Sequence, residues 1–244
     1  MNIGIINTGG TISCVGTPLS PMTAKNFANA CTSIIDPIIK ENYQDLNISY
    51  LTGLEFPESS TKTLDSTNLQ PTDWCRLARY ILDNYAFFDG FVVLHGTDSM
   101  DFTGTALPFL LSAFDANGVQ VAALSKPVII TGSQMPMFYQ APNAETPSSL
   151  LYNTDAFQNF CGAVAAAQSG IPEVCVYFHN TLFRGNRVVK TNASEFDAFS
   201  SPNYPALGQY GINFTINSGN VLPDPVTEKV SIDNATTLAL GKTG

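Results

Sequence analysis

Four short polar stretches in this chain each follow an apolar run or a strand-like segment. Residues 91–104 read FVVLHGTDSMDFTG, where four apolar residues pass straight into His95, Gly96, Thr97 and Asp98. Residues 8–11, TGGT, follow NIGII near the N-terminus. Ser66 and Thr67 lie in the hydroxyl-rich loop ESSTKTLDSTNLQP, and Gly132, Ser133 and Gln134 follow KPVIIT. A turn needs a Gly or an Asp, but not a histidine, a hydroxyl and a carboxylate side by side. In an open parallel sheet, ligands bind beyond the carboxyl ends of the strands, next to the N-termini of the following helices. Several such ends facing one crevice gather oriented N–H groups and hydroxyls into a single pocket, suited to binding or hydrolysing a small molecule.

Each residue also has a purely structural reading. Thr11 after Gly-Gly ties a turn or caps a helix, Asp98 caps the helix that follows, and Lys190 is a solvated hairpin lysine. Ser133 and Gln134 satisfy backbone groups. His95, one of only two histidines with His179, reads as a hydrogen-bonded structural group rather than a base. The stock motifs do not fit. NTGGTI lacks the third glycine of GxGxxG, no GxxxxGK[ST] occurs, and TGSQM is not the GxSxG elbow.

The elements that must position these residues are visible as periodicity. Strands are expected over residues 2–6, 46–51, 91–94, 128–131 and 174–178, and helices over 23–35, 73–85, 101–113 and 148–160. Strands alternating with helices of this length make parallel βαβ units, and their near-continuous apolar character fits cover on both faces. The expected fold class is α/β. It is a mostly parallel, doubly wound sheet of the Rossmann or flavodoxin kind with helices on both faces, plus a β-hairpin near residues 181–192 turning across Arg184–Gly185–Asn186. Residues 1–216 read as one large domain, and 217–244 as a polar, turn-rich tail.

Composition narrows the partners. The 244 residues are 44% hydrophobic and 11% aromatic, enough for a real core. A net charge of −9 leaves no basic stripe to neutralise phosphates, so a small molecule is expected rather than nucleic acid. No apolar run is long enough to span a membrane, and no basic and apolar leader opens the chain. Five cysteines, with no CxxC pair, read as free thiols in a reducing compartment, hence the cytoplasm, and offer no metal spacing.

Taken together, these stretches resemble the bacterial-type asparaginase/glutaminase family of amidohydrolases. TGGTI (8–12) and HGTDSM (95–100) match its two signatures. KPVIITGSQMP (126–136) resembles its third strand and loop, and LFRGNRVVKTNASEFDAFSSPNYPALG (182–208) the segment carrying the family lysine. The resemblance implies Thr11 as nucleophile, with Thr97, Asp98 and Lys190 as a second, charge-assisted triad. It implies that Ser66, with the backbone near Thr67 and Ser133, holds the substrate's α-carboxylate or amide. Gly10 and Gly96 join that binding set, and Asp98 pairs with the α-ammonium. The implied substrate is L-asparagine, with L-glutamine beside it, and no cofactor or metal. The implied assembly is a homodimer or homotetramer. Two neighbouring readings are an ammonia-supplying amidotransferase component and a non-catalytic amino-acid-binding module.

This sequence departs from the family pattern in two places. The loop after TGGTI, which in the family often supplies a tyrosine, reads SCVGTPLSPMTAKNF, and the first tyrosine is Tyr43. The family's chains also usually continue into a small C-terminal α/β domain that helps complete the site of a neighbouring protomer. Residues 217–244 are expected to lead towards such a domain.

Overall fold

The computed structural model describes residues 1–43 and 45–225, so the expected tail lies outside the described residues from 226 onward. Eight strands form the central sheet. They are β1 (Asn2–Asn7), β2 (Asn47–Leu51), β3 (Gly90–Leu94), β4 (Val128–Thr131), β5 (Val174–Phe178), β6 (Thr181–Arg184), β7 (Gly208–Tyr210) and β8 (Phe214–Ile216). Their spatial order is β2-β1-β3-β4-β5-β6-β7-β8. The first five are parallel neighbours; β6, β7 and β8 extend the sheet by antiparallel pairing. The order reverses direction at β1, which has β2 on one side and β3 on the other. That is the switch point of a doubly wound sheet, where the connections after β1 and β3 lead to helices on opposite faces and a crevice opens beyond the strand ends.

The strands are buried on both faces because their side chains alternate between two cores. Ile3, Ile5, Val92, Leu94, Ile129, Cys175 and Tyr177 face one core, together with residues of α1 (Ala24–Ile34), α2 (Asp36–Asn42) and α5 (Ala156–Ala167). Ile6, Phe91, Val93, Val128, Ile130 and Val176 face the other, against α3 (Pro71–Asn84) and α4 (Met100–Leu110). In α3, buried Leu77, Ala78, Ile81 and Leu82 give the stripe that the sequence pattern foretold. The expected fold class is the observed one.

Helix boundaries differ where local chemistry outweighs periodicity. The helix expected over 148–160 starts at Ala156 and runs to Ala167. Ser149 and Leu150, whose apolar run resembled a helix face, instead pair antiparallel with Phe138 and Tyr139. The Thr154 hydroxyl accepts the Ala156 N–H at 3.0 Å and marks the true start. Likewise α3 begins at Pro71 rather than 73. Pro71 needs no N–H partner in the first turn, and the Gln70 N–H donates to Asp73 at 2.9 Å.

The segment 181–192 does carry antiparallel pairing, but the turn lies elsewhere. His179 and Asn180, at φ 44° and 65°, make the two-residue connection between β5 and β6. Two consecutive left-handed residues match the twist of a hairpin. Gly185–Arg187 is a short 3-10 turn, and a Cβ on Gly185 would lie 2.7 Å from the Gly104 carbonyl oxygen of α4. Glycine is required there because α4 packs directly onto this backbone. Val189–Lys190 then pairs with Phe199–Ser200, so the lysine sits in a short ladder beside α4.

The end of the described chain is fastened by a buried ion pair. Arg184 meets Glu173 through two bonds of 2.6 and 3.1 Å, with side-chain exposures of 14% and 3%. The same carboxylate accepts the Leu222 N–H at 2.6 Å, and the guanidinium donates to the Asn220 carbonyl at 2.9 Å. Removing one member of such a pair strands the other charge. Glu173→Ala is therefore expected to cost about 3–5 kcal/mol in chemical denaturation. A loss below about 1 kcal/mol would mean that water already solvates the guanidinium.

Candidate active site

The loops that end β1 and β3 touch through bare backbone. A Cβ on Gly10 would lie 2.4 Å from both the Cα and the N of Gly96, and one on Gly96 would lie 2.5 Å from the Ser66 hydroxyl. Three loops thus stack in the order Gly10, Gly96, Ser66, and no side chain fits between them. Thr11 and Thr97 each follow one of these glycines, so the contact sets both threonines on adjacent turns. The loops are pinned further. Asn7 Oδ1 accepts the Gly9 N–H at 2.9 Å, the Thr8 N–H and hydroxyl both donate to the Leu94 carbonyl at 2.9 Å, and the Ser99 hydroxyl donates to the Ser66 carbonyl at 2.6 Å.

Thr11 opens a 3-10 turn, Thr11–Ser13, and is half-buried. Its hydroxyl has no hydrogen-bond partner among the described residues. Ser66 is 3% exposed, and its hydroxyl also lacks a protein partner. A buried polar group left unpaired costs about 1–3 kcal/mol, so such an atom marks a place where a polar ligand is accepted.

Lys190 reaches the same place from the antiparallel side of the molecule. Its Nζ donates to Thr97 Oγ1 at 2.8 Å and to Asp98 Oδ1 at 2.7 Å. The lysine side chain is 15% exposed and Asp98 59%. Thr97, Asp98 and Lys190 therefore form one hydrogen-bonded group, in which a carboxylate steadies an amine and the amine contacts a hydroxyl. That is the layout of a base and its orienting partner. The Lys190 N–H also points to Asp101 Oδ2 at 3.4 Å, which ties the lysine's backbone to the first turn of α4.

The remaining expected residues are placed differently. Thr67 is exposed, and its N–H and hydroxyl both donate to Asp65 Oδ1, at 3.0 and 2.9 Å. Ser133 is buried, and its hydroxyl donates to the Met135 carbonyl. Thr97 donates to Gln134 Oε1 at 3.3 Å. Among the described residues no group of three or more His, Cys, Asp or Glu side chains is arranged for a metal ion, and no helix is long and apolar enough to cross a membrane. The cysteines are free thiols, Cys31 and Cys175 fully buried.

Sequence reasoning missed the supports of the β4 loop. Asp155 accepts the N–H groups of Gln134 and Met135 at 2.9 and 3.0 Å. Burial raises its pKa, and those N–H bonds oppose the rise. Asn159 donates to the Gly132 carbonyl at 3.0 Å and accepts the His179 N–H at 3.0 Å. The signal was present: Asp155 and Asn159 lie one helical turn apart at the start of α5. A helix begun at 148 put them in its middle.

His95 is structural, and its hydrogen-bond directions are fully determined. The Trp74 indole N–H can only donate, and it lies 2.9 Å from the Thr103 hydroxyl. The Gly96 carbonyl can only accept, so His95 Nδ1 carries the proton and donates to it at 2.6 Å, and Nε2 of the neutral ring accepts from the Thr103 hydroxyl at 2.8 Å. Complete burial pushes the imidazole from its usual 6.5 down to about 4. Between those values the unfolded chain binds the proton and the folded chain does not. Stability therefore falls as pH drops through this window, by at most about 1.4 kcal/mol per pH unit. Urea midpoints should decline from pH 6.5 towards 4.5 in the wild type and more gently in His95→Gln. Parallel declines would remove His95 as the cause.

Comparison with known proteins follows this geometry. The asparaginase N-terminal family model matches residues 2–222. L-asparaginase 1 of Escherichia coli strain K12 is 42% identical over 225 residues, covering 92% of this chain and 57% of the relative. A glutamyl-tRNA(Gln) amidotransferase chain of Methanobrevibacter smithii is 30% identical over 221 residues, covering 85% of this chain and 42% of the relative. The crystal structure of L-asparaginase I from Vibrio cholerae superposes with a TM-score of 0.69 at 34% identity, over 94% of this chain and 58% of that one. The chain thus spans little more than half the length of the asparaginases it matches.

Proposed function

Because the chain belongs to the asparaginase family, we propose that it hydrolyses L-asparagine to L-aspartate and ammonia, with Thr11 as nucleophile. The observation that carries this reading is the Lys190 amine, 2.8 Å from Thr97 and 2.7 Å from Asp98, on the loop whose Gly96 rests against Gly10. Thr11 Oγ attacks the side-chain amide carbon. The proton it gives up passes by way of Thr97 to the Lys190 amine. The tetrahedral intermediate collapses, the C–N bond breaks, and the nitrogen leaves as ammonia after regaining a proton from the lysine. Water then cleaves the acyl ester on Thr11 and releases the dicarboxylic acid. On this reading backbone N–H groups of the Gly10 and Gly96 turns stabilise the charge that develops on the amide oxygen, a contribution of about 3–4 kcal/mol per donor in comparable sites.

The substrate's charged end suits the other groups. Its α-carboxylate takes the unpaired Ser66 hydroxyl, with the backbone near Ser133 as a further donor, and its α-ammonium takes the exposed carboxylate of Asp98. Thr67 contributes less, because Asp65 already holds both of its donors. On the same reading, residues 1–216 are the large domain of a cytoplasmic homodimer or homotetramer. The likeness to an amidotransferase favours a second reading, in which the same amide chemistry supplies ammonia to a partner.

Ammonia release from L-asparagine and L-glutamine, measured without any partner, separates these readings. Thr11→Ala and Lys190→Met should each lower kcat by at least about 10³-fold. Ser66→Ala should raise KM up to about tenfold and leave kcat nearly unchanged. Full turnover by Thr11→Ala would sink the nucleophile assignment. Binding of L-asparagine without release of ammonia by the wild type would leave an amino-acid-binding module.

A further inference from the structure

Gln134 spans the gap between the loop after β3 and the segment that carries Lys190. Its backbone N–H is held by Asp155 at 2.9 Å, its side-chain Nε2 donates to the Glu195 carbonyl at 3.1 Å, and its Oε1 accepts from Thr97 at 3.3 Å. The orientation of this amide is fixed by what its partners can do. A backbone carbonyl only accepts, so the NH2 end must face Glu195 and the oxygen must face Thr97. An amide oxygen cannot donate, so the Thr97 proton points at Gln134 and its lone pairs are left for the Lys190 amine. Hydrogen-bond direction in the resting site therefore runs from Lys190 to Thr97 to Gln134.

We infer that Gln134 is a positioning residue that sets the proton direction of the Thr97–Lys190 pair and braces the lysine-bearing segment against the β4 loop. The inference rests on the amidohydrolase reading above. Two features make the position more than a surface contact. The residue is fastened at both ends, by Asp155 on its backbone and by Glu195 on its side chain, so Oε1 is presented to Thr97 at low entropic cost. The bond to Thr97 is also the longest of the three that link the side chains of Gln134, Thr97, Asp98 and Lys190, beyond the usual range for O–H···O. Thr97 can therefore leave it when a bound amide engages the site. As its hydroxyl turns, its proton passes to the uncharged form of the Lys190 amine while Thr97 takes up the Thr11 proton, so two O–H bonds break as one O–H and one N–H bond form. A resting site without Gln134 would leave that hydroxyl rotating among several acceptors.

The two halves of the side chain can be tested separately. Glu at 134 keeps an oxygen acceptor for Thr97 and loses the donor to Glu195; Ala loses both. Gln134→Ala should lower kcat for L-asparagine by about 10- to 100-fold with KM within about threefold, because Thr97 acts at the reacting atoms rather than in binding. Gln134→Glu should recover to within about tenfold of the wild type. Unchanged kcat in Gln134→Ala overturns the inference. Equal losses in both variants with a lowered Tm overturn it too, leaving Gln134 a clamp of the fold. The ¹⁵N resonance of the Lys190 side-chain amine gives a readout that needs no turnover. It should shift in Gln134→Ala and stay near its wild-type position in Gln134→Glu, and an unmoved signal in Gln134→Ala counts against the role. A wild type that releases no ammonia defeats the proposed activity, while this resonance still decides the positioning role.

Discussion

Contact between the Gly10 and Gly96 backbones is the constraint on which the rest of the site depends. The two loops leave neighbouring strands at the switch point of the sheet; a methyl group on Gly10 would drive them apart, and one on Gly96 would strike Ser66. With that contact in place, Thr11 and Thr97 follow directly from the two touching glycines, and Ser66 closes the stack from the third side. Each loop is then locked by bonds that use few side chains: Thr8 to Leu94, Asn7 to Gly9, Ser99 to Ser66. The geometry is rigid because it is mostly main chain.

Charge enters this rigid frame from a different part of the fold. Lys190 comes from a two-stranded ladder beside α4, and its amine is held by one hydroxyl and one carboxylate. Asp98 is mostly exposed, while the lysine is mostly covered. The pair can thus meet a substrate ammonium on its outer side and a hydroxyl on its inner side. His95 contributes no charge. It is buried neutral and holds the Gly96 carbonyl through Nδ1–H, while its Nε2 accepts from the Thr103 hydroxyl that also meets Trp74.

Much of this was legible in the sequence. Apolar runs ending in TGGT, HGTD and TGSQ located the parallel strands, and the likeness to a known family named Thr11, Thr97, Asp98 and Lys190. What was not legible was long-range. The turn at His179–Asn180 carries no Gly or Pro, whereas Gly185–Asn186 has ordinary turn chemistry and serves instead as a close-packing point for α4. The start of α5 was misplaced because Leu150 and Leu151 mimic a helix face, while Ser149 and Leu150 pair with Tyr139 and Phe138. Gln134 was legible as a polar residue at a strand end, with satisfying backbone groups as its structural reading, but not its contacts. Its three anchors come from Asp155, Thr97 and Glu195, which no local pattern connects.

The bond from Lys190 to Thr97 spans 93 positions of chain, and that to Asp98 spans 92. The threonine-bearing loops belong to the parallel half of the sheet, and the lysine arrives only after β5 and β6 have been laid down. Contacts so distant in sequence close late, since loop closure must precede any gain from them. A nascent chain on the ribosome would therefore carry its crevice well before its amine. The group of Thr97, Asp98 and Lys190 would be complete only once synthesis has passed Lys190 and the ladder with Phe199–Ser200 has formed.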